Sequence, residues 1–155
     1  MSYTLKPSLT RHFLLALGIS ASLSSLSAQA QQMVSISNPT VNMRSGPGTN
    51  HSVEWALSKG YPLKVLKRQG QWLQVSDFEN DRGWVHRPLT SSAAHHVVRV
   101  KVANLRQQPS VRSRILDKLE YGEVVRTLSK RPDWVKVQRP GGQAGWVSRK
   151  LLWGW

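Results

Sequence analysis

The stretch Asn42-Met43-Arg44-Ser45-Gly46-Pro47-Gly48 returns later in the chain as Asn104-Leu105-Arg106-Gln107-Gln108-Pro109. The offset is 62 residues, as 104 follows 42, and it holds without a gap. Gly60 meets Gly122, Trp72 meets Trp134, and Val75 meets Val137. Gly83-Trp84-Val85 meets Gly145-Trp146-Val147, and Arg87 meets Arg149. A fixed period that carries Gly, Pro and Trp along with it means two copies of one supersecondary unit.

Within each copy the pattern is that of short strands. Met33 to Ser37, Val41 to Arg44, Leu63-Lys64-Val65 and Trp72 to Val75 alternate apolar with polar residues, as half-buried strands do. Asn38-Pro39, Gly60-Tyr61-Pro62 and Gln69-Gly70-Gln71 are turn signals. Ser45-Gly46-Pro47-Gly48 opens a long irregular loop, because proline lacks a donor and the glycines favour unusual dihedrals. Glu79 to Gly83 reads as a polar hairpin tip, and Val97 to Val102 as the strand that opens the second copy. Many short strands with frequent turns predict an all-β chain of small barrels or sandwiches. The boundaries follow as 31–90 for the first repeat, 91–96 for a linker and 97–155 for the second repeat.

Units of this size bury only about 60% of their unfolded surface, so each is marginal alone. No cysteine is present, which removes disulfides and thiolate metal sites from consideration. Packing of one repeat on the other is the expected compensation, with seven tryptophans to fill a thin core.

Residues 1–30 read as a signal peptide. Lys6 and Arg11 form a basic n-region, an apolar run opens at Phe13, and Ala28-Gln29-Ala30 is a small-x-small cleavage site. The strongly apolar part is shorter than the roughly 20 residues a span requires, and no cysteine follows it to be lipidated. The expectation is an exported protein, periplasmic or secreted, without a transmembrane span after cleavage. Loss of this segment leaves +12 of the formal net charge of +14.

The ordered set Val41-Asn42-Met43-Arg44-Ser45-Gly46-Pro47-Gly48, Lys59-Gly60-Tyr61, Trp72-Leu73-Gln74-Val75 and Gly83-Trp84-Val85-His86 resembles bacterial SH3-like domains. The tandem, with Leu152-Trp153-Gly154 near the end, is most similar to exported proteins of Gram-negative bacteria with paired SH3-like repeats. The second copy departs at Gln107-Gln108, which stand where Ser45-Gly46 do, and no glycine matches Gly48. The resemblance implies two tandem SH3-like β-barrels of about five strands each. It also implies binding rather than catalysis, with wall peptides or an envelope partner protein as ligand.

Strand parity puts Leu73 and Val75 on one face and Trp72 with Gln74 on the other, and the same for Val135 and Val137 against Trp134. Trp72 and Trp134 therefore face outward, as ligand platforms or under cover from another element. Arg44 and Arg106 recur at a strand end, suited either to a ligand carboxylate or to the backbone of their own loop. Arg44, Trp55, Tyr61 and Trp72 are the candidate contacts of the first copy, and Arg106, Tyr121 and Trp134 those of the second.

No catalytic constellation is legible. The histidines lack metal spacing such as HExxH, the serines lack a G-x-S-x-G elbow, and Asp77, Glu79 and Asp81 read as a solvated tip. The sequence reading is thus a non-catalytic binding module with no metal, no cofactor and no enzyme activity. The basic balance supports a second reading, a binder of anionic polymers such as lipopolysaccharide or acidic glycan. Export argues against nucleic acid as the natural ligand.

Overall fold

A computed structural model describes residues 31–155. The expected signal peptide and its cleavage site after Ala30 lie outside the described residues. Among these, no helix is long and apolar enough to cross a membrane.

Two seven-stranded antiparallel sheets follow one another. The first contains β1 (Met33–Ile36), β2 (Thr40–Arg44), β3 (Val53–Ser58), β4 (Pro62–Gln69), β5 (Trp72–Ser76), β6 (Arg82–His86) and β7 (Thr90–Ser91), in the order β3-β2-β6-β5-β4-β1-β7. The second contains β8 (His95–Val98), β9 (Val102–Arg106), β10 (Ile115–Glu120), β11 (Val124–Lys130), β12 (Trp134–Gln138), β13 (Ala144–Ser148) and β14 (Leu152–Gly154), in the order β10-β9-β13-β12-β11-β8-β14. The orders coincide element for element, and every strand of the second sheet starts 62 residues after its partner. Short 3-10 turns at Arg87–Leu89 and Arg149–Leu151 precede the last strands.

Each sheet curls into a barrel because β4 and β11 serve two neighbours. The first half of β4 pairs with β1 and the rest with β5. Between Val65 and Lys67 the register shifts, leaving Leu66 as the extra residue of a bulge. Leu128 occupies the same place between Thr127 and Ser129. A bulge bends its strand and raises the twist, which is what a strand turning a barrel corner requires. Inside lie Ile36, Met43, Leu63, Leu73, Val75 and Val85 in the first repeat. Val98, Leu105, Leu119, Val125, Val135 and Val147 fill the second.

Several boundaries differ from those read in the sequence. Each repeat has seven strands rather than about five, the last of them formed where the chain returns after the 3-10 turn to pair β7 with β1 and β14 with β8. Strand β8 opens at His95, inside the stretch read as linker. Val97 to Val102 is not one strand: β8 stops at Val98, and Arg99 donates its backbone N–H to the Leu151 carbonyl, 3.0 Å away, in the turn before β9. Gly83 and Gly145 lie within β6 and β13 rather than at hairpin tips. A Cβ on Gly83 would stand 2.5 Å from Met43 Cγ and 3.0 Å from the Arg44 carbonyl oxygen. These glycines mark the close crossing of β6 over β2 and of β13 over β9.

The repeats have separate apolar clusters and meet over a narrower seam. There a Cβ on Gly60 would stand 2.8 Å from His95 Cδ2 and 3.3 Å from Val124 Cγ1. Inside the second barrel, by contrast, His96, buried in β8, sets Nδ1 2.7 Å from the Thr127 hydroxyl of β11. Tyr121 reaches the Glu79 carboxylate with its hydroxyl and lies 5.4 Å from the Phe78 ring, centroid to centroid.

Candidate functional site

Arg44 ends β2, and the loop that follows closes around its guanidinium. Its Nη1 donates to the carbonyl of His51 at 2.8 Å and to that of Thr49 at 3.2 Å. The Ser45 N–H donates to the Ser52 carbonyl at 3.0 Å, which shuts the loop at its base. Arg106 repeats the device, donating from Nη1 to the Ser113 carbonyl at 2.8 Å, with the Gln107 N–H on the Arg114 carbonyl at 3.0 Å. The two loops therefore share a backbone path in spite of their different sequences. The exchange of Gly46 for Gln108 is matched by that of His51 for Ser113. The His51 ring would stand 2.5 Å from a Cβ on Gly46, and a serine leaves that space open.

Beside each loop stands the tryptophan that opens the next hairpin. Trp72 and Gln74 face outward from β5 while Leu73 and Val75 are buried. Across the hairpin Trp72 pairs with His86, and the two rings lie 5.2 Å apart at 49°. Together with Asn42, Arg44, Thr49 and Leu89 they line a groove of about 390 Å3. In the second repeat Asn104, Arg106, Val111, Trp134, Ser148 and Leu151 line a groove of about 200 Å3. Each of these six follows its counterpart by 62 positions. The fold thus builds the same groove twice, with a cation at one end and an indole wall at the other.

Of the seven candidate contacts, Arg44 and Trp72 come together in the first groove and Arg106 and Trp134 in the second. The other three lie elsewhere. Trp55 is 53% exposed on the edge strand β3. Tyr61 donates its hydroxyl hydrogen to Asp77 Oδ2 at 3.1 Å. Burial first, and then the Asp77 carboxylate, hold this phenol above its ordinary pKa. Tyr121 belongs to the seam between repeats. His86 was not among the candidates. The signal that finds it is its place directly across the β5–β6 hairpin from Trp72.

The acidic cluster of Asp77, Glu79 and Asp81 is taken up by its own turn. Asp77 Oδ1 accepts the N–H groups of Glu79 and Asp81, each at 2.9 Å. At the equivalent corner of the second repeat the chemistry is exchanged. Tyr61 and Asp77 give way to Glu123 and Arg139, whose guanidinium pairs with Glu123 at 2.7 Å and with Asp117 at 2.8 Å.

The family named Bacterial SH3 domain matches residues 37–92 and, through a second description of the same name, residues 101–152. The chain belongs to the bacterial SH3 domain proteins and carries two such domains in tandem. Bacterial SH3 domains are cell-wall binding modules. A Bacillus subtilis (strain 168) protein, YrvJ, which bears the name of an N-acetylmuramoyl-L-alanine amidase, is 27% identical over 134 residues. The match takes in 79% of this chain and 26% of YrvJ, so the chain spans about a quarter of that relative. Among solved structures, NlpC2 from Trichomonas vaginalis is similar over 82% of this chain and 49% of its own, with 17% identity and a TM-score of 0.37. An NlpC/P60 family protein from Bacillus cereus ATCC 10987 is similar over 79% and 56%, with 15% identity and a TM-score of 0.38.

The expectation that the chain is no enzyme is corrected by the match to YrvJ. It rested on motifs missing from the sequence, and a relative sharing most of this chain carries an amidase's name.

Proposed function

We propose that the protein is exported and holds to the cell wall through its paired grooves, with the Asn42–Arg44–Trp72 groove as the main contact for wall peptide. The observation that carries this reading is the groove's recurrence: six lining positions return at a spacing of 62, while much of the intervening surface changes. The chemistry suits a peptide end. Arg44 is fixed by its loop, so its remaining N–H groups are pre-oriented for a carboxylate. The Trp72 ring offers a flat apolar wall, and Asn42 and His86 supply polar partners at its rim. The likeness to YrvJ supports a wall context.

The test is retention on purified sacculi. Trp72→Ala should reduce retention several-fold while the thermal midpoint moves little. Equal retention of the variant and the parent protein would overturn the reading. So would binding to an envelope protein that survives removal of the wall.

A further inference from the structure

The charge of the chain is divided unevenly. Residues 31–92 carry 7 Lys+Arg against 4 Asp+Glu, whereas residues 93–155 carry 13 against 4. Part of the excess gathers at the second groove. Its Val111–Trp134–Ser148–Lys150 wall also lines an adjoining cavity of about 610 Å3, to which Arg99, Arg149 and Asp133 contribute. Four cations, Arg99, Arg106, Arg149 and Lys150, thus border one continuous depression with a single acid. Arg99, Arg149 and Lys150 are exposed and form no ion pair among the described residues, in contrast to Arg139.

The first repeat serves as an internal control. Ser37 stands where Arg99 does, and Pro88 where Lys150 does. Arg87, the counterpart of Arg149, donates to Gln71 Oε1 at 3.0 Å. The indole differs too: Trp72 lies against His86, while Trp134 has Ser148 in that place and no aromatic neighbour among the described residues.

We propose that the second groove binds an acidic saccharide, with a sugar ring against Trp134 and Val111 and its carboxylates on Arg99 and Lys150. The inference rests on reading the grooves as ligand sites, and adds the ligand class of the second. A single indole flanked by cations fits one ring with charged substituents. Single-stranded nucleic acid is held on successive aromatic platforms, and here one indole stands alone.

Pentagalacturonate is the probe, with its fully methyl-esterified form as the neutral control, followed by calorimetry and tryptophan fluorescence. The acid should bind, weaken as salt is added, and outcompete the ester by roughly tenfold or more. Arg99→Ser combined with Lys150→Ala should cost the acid a similar factor and leave the thermal midpoint in place. Trp72→Ala should leave this binding unchanged. Equal binding of acid and ester, or full binding by the double variant, would overturn the proposal. Tighter binding of an oligothymidylate of equal charge through the same residues would overturn it as well. The sacculus assay reads the first groove separately: loss of retention alone leaves the saccharide site standing, and the converse also holds.

Discussion

Tyr121, in the turn just after β10, donates its hydroxyl hydrogen to the carboxylate of Glu79 on the β5–β6 turn of the other repeat. The same ring lies 5.4 Å from Phe78, which in turn lies 6.4 Å from Tyr61. One aromatic therefore ties the second barrel to the first. The hydrogen bond to Glu79 is the foremost cause that raises the Tyr121 phenol above its ordinary pKa.

This contact makes the relative motion of the repeats the quantity to measure. Tyr121→Phe keeps the ring on Phe78 and should leave the two barrels tumbling together. Tyr121→Ala removes both contacts and should give the repeats separate rotational correlation times in 15N relaxation. Equal relaxation of Tyr121→Ala and the parent protein would show that the rest of the seam suffices.

The glycines divide into two kinds, and the difference is measurable. Gly70 has φ 55° with open space around it, so a side chain there meets only backbone strain, worth about 1 kcal/mol. A Cβ on Gly83 would run into Met43 Cγ and the Arg44 carbonyl where β6 crosses β2. Gly83→Ala should therefore cost about 2–3 kcal/mol in urea unfolding, as overpacked cores do, and more than Gly70→Ala. Equal costs would mean that β2 yields easily.

The 62-residue register made most of the fold legible, since strands, bulges and grooves all recur at that spacing. Its use was uneven. Asn38-Pro39 marks the turn after β1, but the matching Val100-Lys101 continues an apolar alternation, and so the break after Val98 was hidden. The shape of the second loop was hidden as well. Gln107-Gln108 changes the local motif, while the compensating exchange of His51 for Ser113 lies five residues further on. Trp72 and Trp134 were legible as outward residues from parity alone. Trp55, Tyr61 and Tyr121 were not separable from them in the sequence, because nothing local tells a groove wall from an edge strand or a seam.

His96 gives the fold a pH dependence. Its imidazole is 2% exposed. Burial lowers its pKa from 6.5 to about 4, against a raising hydrogen bond that the ring donates to the Trp155 backbone, and Lys130 lowers it further. The unfolded chain takes up the proton near pH 6.5 and the folded one only near 4, so between these values the unfolded state binds more protons. Stability is full above pH 6.5 and falls as pH drops towards 4, by on the order of 3 kcal/mol. Urea midpoints between pH 7.5 and 4.5 should follow this curve, and His96→Gln should flatten it. A parent protein whose midpoint holds constant over that range would contradict the assignment.

The tryptophans supply the last prediction, because two of them in each repeat sit on successive strands with opposite duties. Trp84 and Trp146 are each 8% exposed, and Trp146 carries the Arg131 guanidinium 4.9 Å from its ring centre. Trp72 and Trp134 are half-buried beside the grooves. Removing a buried indole leaves a cavity that its neighbours cannot close, so Trp84→Ala and Trp146→Ala should each cost about 3–5 kcal/mol. A half-buried ring over an open groove leaves no closed void. Trp72→Ala and Trp134→Ala should stay near 1 kcal/mol, the cost of lost apolar cover. Unfolding of all four variants in urea, followed by circular dichroism, orders them. If Trp72→Ala falls with Trp84→Ala, the Trp72 ring is core to the barrel and the groove loses its wall as a separate functional part.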